Sequence, residues 1–131
     1  FHALRQLAPV KAVAGVELGG CPLASAVALT SFLHGAPLVA LYVRKSQKDH
    51  GMKKMIEGDK SMHEGMAVAL VEDVITTGGS TLRAAQVLRQ AGLVPVGVVA
   101  IVDRLEGGSD ALREAGLPLV ALTTRKDFIA D

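Results

Sequence analysis

The stretch VEDVITTGGST, residues 71–81, decides the fold because it joins the end of a strand, a turn and the start of a helix. Residues 66–71 are apolar without alternation, which is typical of a strand covered on both faces. Residues 80–91 carry apolar side chains at helical spacing, and Gly92 is a natural end for that helix. The sequence therefore predicts a buried strand that passes through a small polar turn into a helix.

The same alternation of strand and helix repeats along the chain. Further strands are predicted at residues 12–16, 38–43, 94–102 and 119–122, and further helices at 22–33 and 109–115. In a chain of 131 residues this order predicts a single α/β domain, 1–131, with a mostly parallel sheet and helices on both faces. Residues 44–64 are polar and charged, and a segment of that length predicts a flexible loop with a functional role.

Composition excludes several classes of protein. The formal net charge is +1, which argues against broad attraction to nucleic acid or to a membrane surface. The longest apolar run is too short to span a bilayer. Cys21 is the one cysteine, so no internal disulfide can form and a reducing cytoplasm is the expected location.

The turn after the buried strand has the composition of a phosphate site. Its six residues combine glycines, which allow close approach to the backbone, with hydroxyls that add donors: Thr76, Thr77, Gly78, Gly79, Ser80 and Thr81. The start of the following helix favours an anion. Glu72 and Asp73 precede the turn, and carboxylates accept hydrogen bonds from vicinal hydroxyls. A ribose 5-phosphate unit satisfies both features, whereas the alternative is an ordinary capped turn.

The run VALVEDVITTGGST, residues 68–81, resembles the PRPP-binding motif of the type I phosphoribosyltransferases. The resemblance implies the fold of that family. It assigns the ribose hydroxyls to Glu72 and Asp73, and the 5-phosphate to residues 76–81. Neither a GxxxxGK[ST] nor a GxGxxG motif is present, so the two common nucleotide-binding signatures do not compete with this interpretation.

A second segment narrows the family. In YVRKSQKDHG, residues 42–51, the positions Arg44, Lys45, Lys48 and His50 resemble the RKxxKxHG catalytic loop of orotate phosphoribosyltransferases. The resemblance implies that these four side chains act on the pyrophosphate, across a homodimer interface with shared active sites. The alternative is a solvated run of charge.

Two other segments are similar to parts of the same family. GVELGGCPLA, residues 15–24, resembles the pyrophosphate-contacting loop, which implies substrate contacts for Glu17 and Leu18; some relatives carry a lysine where Gly19 stands. VDRLEGG, residues 102–108, resembles the segment that supplies an arginine to the orotate carboxylate, which implies that role for Arg104. The alternative for Arg104 is a surface ion pair with Asp103 or Glu106.

The resemblance implies a glycosyl transfer in which PRPP and orotate give orotidine 5-monophosphate and pyrophosphate, with Mg²⁺ as cofactor. Nothing in the chain corresponds to the N-terminal hood of that family, so a fragment of impaired activity is one alternative. A PRPP-binding regulator without catalysis and a purine phosphoribosyltransferase are the others. A regulator is expected to add a nucleic-acid-binding segment, and a purine enzyme is expected to lack RKxxKxHG.

Overall fold

A computed structural model of the chain describes residues 1–46, 55–58, 60 and 62–129. Six strands form one sheet: β1 Ala12–Val16, β2 Val39–Val43, β3 Ile56–Gly58, β4 Ala67–Ile75, β5 Val94–Asp103 and β6 Leu119–Thr124. The α-helices in this part of the chain are α1 Gly20–Leu33, α2 Gly79–Gln90 and α3 Gly108–Glu114. Short 3-10 helices at His2–Gln6 and Arg125–Asp127 lie near the two ends.

The strand order, β3-β2-β1-β4-β5-β6, reverses its direction of growth between β1 and β4. From β1 the chain passes through α1 to β2 on one side, and from β4 it passes through α2 to β5 on the other. Every neighbouring pair is parallel except β2 with β3. A crevice forms where the order reverses, outside the carboxyl ends of the strands, and ligands bind there in open α/β sheets.

Helices cover both faces of the sheet, as the sequence predicts. Side chains alternate along β1, so that Ala12, Ala14 and Val16 join one apolar core while Val13 joins the other. The first core packs against α2 and α3, and the second packs against α1. Because both faces are filled by Val, Leu and Ala, the central strands read as continuous apolar runs rather than as alternating ones.

The structure differs from the predicted elements in two places that bear on the site. Residues 44–64 do not form a loop throughout, because Ile56–Gly58 pairs antiparallel with β2 and is the edge strand on that side of the sheet. The strand β4 continues beyond the apolar run to Ile75, so the two acids lie on the strand rather than after it. Within the described residues, no helix is long and apolar enough to cross a membrane.

Candidate active site

Two turns meet at the crevice between β1 and β4. The first turn, residues 17–19, follows β1, and the second, residues 76–78, follows β4. The first turn lies close to β4, because a Cβ on Gly19 would overlap the carboxylate of Asp73. It is also joined to the end of β2, since the Glu17 amide donates to the Val43 carbonyl at 2.9 Å and the Lys45 amide donates to Glu17 Oε1 at 3.3 Å. The segments predicted to contact pyrophosphate and phosphate are therefore neighbours.

The phosphate loop, defined as residues 76–81, encloses a cavity of about 240 Å³. Gly78 caps α2 in a left-handed conformation, with φ of 87°, which a residue with a side chain adopts only at a cost. This turn aims the first amides of a 12-residue helix at the cavity. All six predicted residues line it, together with Val74, Ile75 and Arg83. The arrangement is that of an anion site at a helix start.

The two acids at the end of β4 face opposite sides of the sheet. Successive side chains of a strand alternate, so Glu72 lies on the side of α2 while Asp73 lies on the side of the first turn. Glu72 is buried, and its Oε1 accepts a hydrogen bond of 3.2 Å from the hydroxyl of Thr81. Asp73 is exposed, and its carboxylate occupies the space that a side chain on Gly19 would need.

Burial changes the acidity of Glu72. Loss of solvent raises the pKa of its carboxyl to about 7, and the nearby charge of Asp73 adds to the rise. The Thr81 hydroxyl and the charge of Lys45 act in the opposite direction, because both favour the ionised form. A carboxyl that titrates close to neutral pH in the crevice marks the site as a functional candidate.

The cations of the predicted catalytic loop are only partly described. Arg44 is bound to β3 and its approach, because its Nη2 donates to Glu57 Oε1 at 3.1 Å and its amide donates to the Met55 carbonyl oxygen at 2.8 Å. Lys45 is exposed beside the first turn. Lys48 and His50 lie outside the described residues. Arg44 therefore ties the base of the segment to the sheet, and Lys45 is the one predicted lysine that the described residues place at the crevice.

A second cavity, of about 410 Å³, lies at the ends of β5 and β6. Arg104, Arg125 and Phe128 are part of its lining. Arg104 follows β5 and its amide donates to the Ile75 carbonyl at 2.9 Å, so it sits next to the phosphate loop. Its side chain is 55% exposed, and Nη2 pairs with Glu106 Oε1 at 3.2 Å. The structure thus shows the surface ion pair that was the alternative for Arg104, with the side chain still accessible from solvent.

Comparison with known proteins agrees with this geometry. Residues 7–114 match the phosphoribosyl transferase domain family. An orotate phosphoribosyltransferase of Sorangium cellulosum is 66% identical over 131 residues, which cover 100% of this chain and 68% of that protein. The chain belongs to the orotate phosphoribosyltransferase family.

Solved structures of orotate phosphoribosyltransferases have the same fold. The enzyme of Mycobacterium tuberculosis H37Rv in complex with inorganic phosphate is 32% identical, with a TM-score of 0.80 over 96% of this chain and 66% of that one. The complex of the same enzyme with 5-phospho-alpha-D-ribosyl 1-diphosphate (PRPP) is 33% identical, with a TM-score of 0.77 over 92% of this chain and 66% of that one. The chain spans about two thirds of the length of these relatives. The predicted fold and family are confirmed.

One cation near the phosphate loop was not predicted. Arg83 lines the phosphate cavity and also a neighbouring cavity that contains Arg44 and Lys45. The sequence holds a signal for it, because Arg83 stands four residues after Gly79 and side chains at that spacing share one face of a helix. Without the path of the chain, nothing distinguishes it from the other polar positions of α2.

Cys21 is a structural thiol in this member of the orotate phosphoribosyltransferase family. It is half-buried in the first turn of α1, and its Sγ lies 3.9 Å from the Gly15 carbonyl oxygen. Burial, followed by the nearby charges of Glu17 and Glu72, raises the pKa of the thiol above its ordinary value. A thiol that stays protonated is a poor nucleophile.

Proposed function

We propose that this chain transfers the ribose 5-phosphate of PRPP to orotate, giving orotidine 5-monophosphate and pyrophosphate. The observation that carries the proposal is the juxtaposition of the phosphate loop, the acids of β4 and the turn after β1 at one crevice. A purine phosphoribosyltransferase loses support, because the relative with 66% identity over the whole chain is an orotate phosphoribosyltransferase.

The phosphate loop holds the 5-phosphate through main-chain amides and hydroxyls, and Arg83 adds a positive charge at its edge. Glu72 and Asp73 accept hydrogen bonds from the ribose hydroxyls, from opposite sides of the β4 strand end. Glu17 and Leu18, in the turn after β1, face the pyrophosphate. These contacts fix the anomeric carbon between the leaving group and the incoming base, which lowers the barrier by orientation.

The transfer breaks the bond between the anomeric carbon and the pyrophosphate oxygen, and it forms a bond from that carbon to a ring nitrogen of orotate. Negative charge grows on the pyrophosphate as it leaves. Lys45, with Lys48, His50 and Arg44 by resemblance, stabilises that charge. Positive charge grows on the ribose, and the ionised acids of β4 favour it. Neither acid needs to act as a general base, because orotate can attack through an already ionised nitrogen.

Mg²⁺ is the cofactor that we propose, bound mainly by the substrate. Among the described residues, no group of three or more His, Cys, Asp or Glu side chains could hold a metal ion. In this proposal the oxygens of PRPP supply most of the ligands, which suits a hard cation that keeps few protein ligands. When bound, it neutralises charge on the pyrophosphate.

Arg104 is the residue that we propose for recognition of the orotate carboxylate. Arg104 lies one residue beyond β5 and next to the phosphate loop, and its side chain is accessible to a ligand bound at the crevice. Arginine binds carboxylates through two parallel donors, so exchange of Glu106 for the substrate carboxylate preserves the same geometry.

The active form that we propose is a homodimer with shared active sites, located in the cytoplasm. The outer side of α1 supports association, because Leu29, Phe32 and Leu33 are exposed on it in a single copy. The location is supported by the single cysteine, which leaves this chain without an internal disulfide.

The test is consumption of orotate, followed by its absorbance, with PRPP and Mg²⁺ and the protein in its full length. Asp73→Asn is expected to lower kcat/KM by about a hundredfold or more, because it removes a charge that favours the cationic ribose. Asp110→Asn is the matched control, since Asp110 is an exposed acid of α3 paired with Arg113. A wild-type protein that neither consumes orotate nor binds PRPP would refute the proposal.

Recognition of orotate is tested separately with Arg104→Ala. The KM for orotate is expected to rise by about tenfold or more, with a smaller change in the KM for PRPP. Arg113→Ala is the control, because Arg113 is also an exposed arginine with an acidic partner. Equal increases in both KM values would show that Arg104 does not select the base.

A further inference from the structure

A buried hydrogen bond connects the phosphate loop to Glu72, one of the two acids proposed to bind the ribose hydroxyls. The Thr81 hydroxyl, on the first turn of α2, donates to Glu72 Oε1 of β4 at 3.2 Å. Thr81 is 0% exposed and Glu72 is 6% exposed, so neither group is well supplied with water. Of the buried polar residues in the described part of the chain, which are Ser31, Glu72, Thr81 and Asp103, two bond to each other.

The fold alone does not account for this pair. Glu72 continues the row of Val68 and Leu70, whose side chains fill the core beneath α2. An apolar residue at Glu72 and a valine at Thr81 would fill similar space without the cost of burying polar groups. The buried position of the Glu72 carboxyl therefore lowers the stability of the fold. We expect the compensating advantage in ligand binding.

The place of Thr81, between the phosphate loop and Glu72, suggests what the buried pair contributes to binding. Thr81 is part of the phosphate loop, and its hydroxyl donates a hydrogen bond to the acid. We infer that Thr81 is a positioning residue, whose hydroxyl fixes the Glu72 carboxylate toward the ribose and joins its orientation to that of the phosphate loop. The inference rests on the proposed function, because it concerns how the same site binds PRPP.

The groups around Glu72 set the pKa of its carboxyl, so the effect of the Thr81 hydrogen bond can be measured as a change in that pKa. Asp73 beside it on β4 disfavours ionisation, and Lys45 after β2 favours it. Cys21 on α1 is a neutral thiol, and Ala100, the partner of Glu72 on β5, is apolar. With a carboxyl pKa of about 7, the hydroxyl contributes to keeping the acid ionised at neutral pH. Ribose hydroxyls can donate to both oxygens of an ionised acid, whereas a protonated acid loses acceptor capacity.

The test is Thr81→Val, which removes the hydroxyl and keeps the shape. We expect the acidic limb of the pH profile of kcat/KM for PRPP to move upward by about one pH unit. At pH 7 the loss of kcat/KM should be about fivefold, and it should almost vanish by pH 9, where the acid is ionised in both proteins. Thr81→Ser, which restores a hydroxyl, should return the profile to that of the wild type.

Ser31→Ala is the matched control. Ser31 is also fully buried, but its hydroxyl bonds only to the backbone, donating to Ala28 at 2.6 Å and accepting from Leu38 at 2.9 Å. This variant should lose stability without a change in the pH profile. If Thr81→Val does not fold, Thr81→Cys takes its place with the same expectation, since a thiol is a weak donor.

The carboxyl of Glu72 can also be titrated directly by ¹³C NMR in the free protein. An upward move of its midpoint in Thr81→Val is the expected result. An unchanged midpoint, or a loss of activity of equal size at pH 7 and pH 9, would overturn the inference. A wild-type protein that does not bind PRPP would instead refute the proposed function, so the two failures are distinguishable.

Discussion

At the scale of single residues, Glu72 shows a conflict between stability and binding. Its pKa is about 7 in the folded chain and about 4.5 for an ordinary glutamate. The folded chain therefore holds more protons than the unfolded chain between these values. It follows that stability decreases as the pH rises from about 4.5 to about 7, and remains lower above that range.

Glu72→Gln tests this conflict. The amide keeps an acceptor for Thr81 and does not ionise, so the variant should be more stable than the wild type at pH 8. Its advantage should be larger at pH 8 than at pH 5 by about 1–2 kcal/mol. Unfolding by urea at the two pH values measures it. Glu64→Gln, at an exposed acid before β4, is the control, and an advantage independent of pH would contradict the pKa assignment.

At the scale of elements, the start of α3 packs against the phosphate loop. The amide of Gly108, at the start of α3, donates to the Thr76 carbonyl at 3.1 Å. A Cβ on Gly108 would overlap the side chain of Ile75 and the carbonyl oxygen of Thr76, and the backbone oxygen cannot move without moving the loop. The start of α3 is thus in direct contact with the turn that precedes α2.

Gly108→Ala should therefore weaken PRPP binding, by about tenfold, although Gly108 does not line the phosphate cavity. Titration calorimetry with PRPP gives the dissociation constant. The control is Gly107→Ala, because Gly107 has φ of 92° and no atom within 4 Å of its Cβ position. It should cost about 1 kcal/mol of stability through backbone strain and leave binding unchanged. Equal affinities for PRPP in Gly108→Ala and wild type would contradict this role of α3.

Some of the strands can be predicted from the sequence alone and others cannot. The apolar runs of β1, β4 and β5 predicted those strands, because both faces of the sheet are covered and periodicity carries the signal. β3 was missed, since three residues in a polar segment pair only with β2 and have no apolar pattern of their own. The length of β4 was underestimated because Glu72 is buried through a partner, Thr81, that lies nine positions away. Contacts between distant elements leave no local pattern.

The same limit applies to the site. All six residues predicted for the phosphate loop line one cavity, because they are consecutive and their chemistry is local, while their role in binding phosphate stays a prediction. The division of the acids between the two faces of the sheet was not, although strand alternation contains it once β4 is known to reach Ile75. The pairing of Arg44 with Glu57 depends on β3, and so it could not be anticipated. The roles of Lys48 and His50 stay predictions.

At the scale of the whole molecule, the strand order explains why these parts form one site. The reversal between β1 and β4 brings the turn after β1, the phosphate loop and the end of β2 together, although residues 17 and 76 are far apart in sequence. Most of the site thus comes from one edge of one sheet. β2 ends and β3 begins at that same end of the sheet, where Val43 pairs with Ile56. In a dimer, the catalytic-loop side chains can act either at the crevice of their own copy or at that of the second copy.

A mixture of two inactive variants distinguishes these cases. Lys48→Ala damages the loop, and Asp73→Asn damages the crevice. If the loop of one copy acts in its neighbour, a mixed dimer has one intact site, and random exchange should restore about a quarter of wild-type activity, because half of the dimers are mixed and each has one good site. Lys48→Ala mixed with Lys45→Ala is the control, since both changes lie on the loop and no intact combination forms. Activity that stays at the level of the separate variants after subunit exchange would mean that each loop closes over its own site.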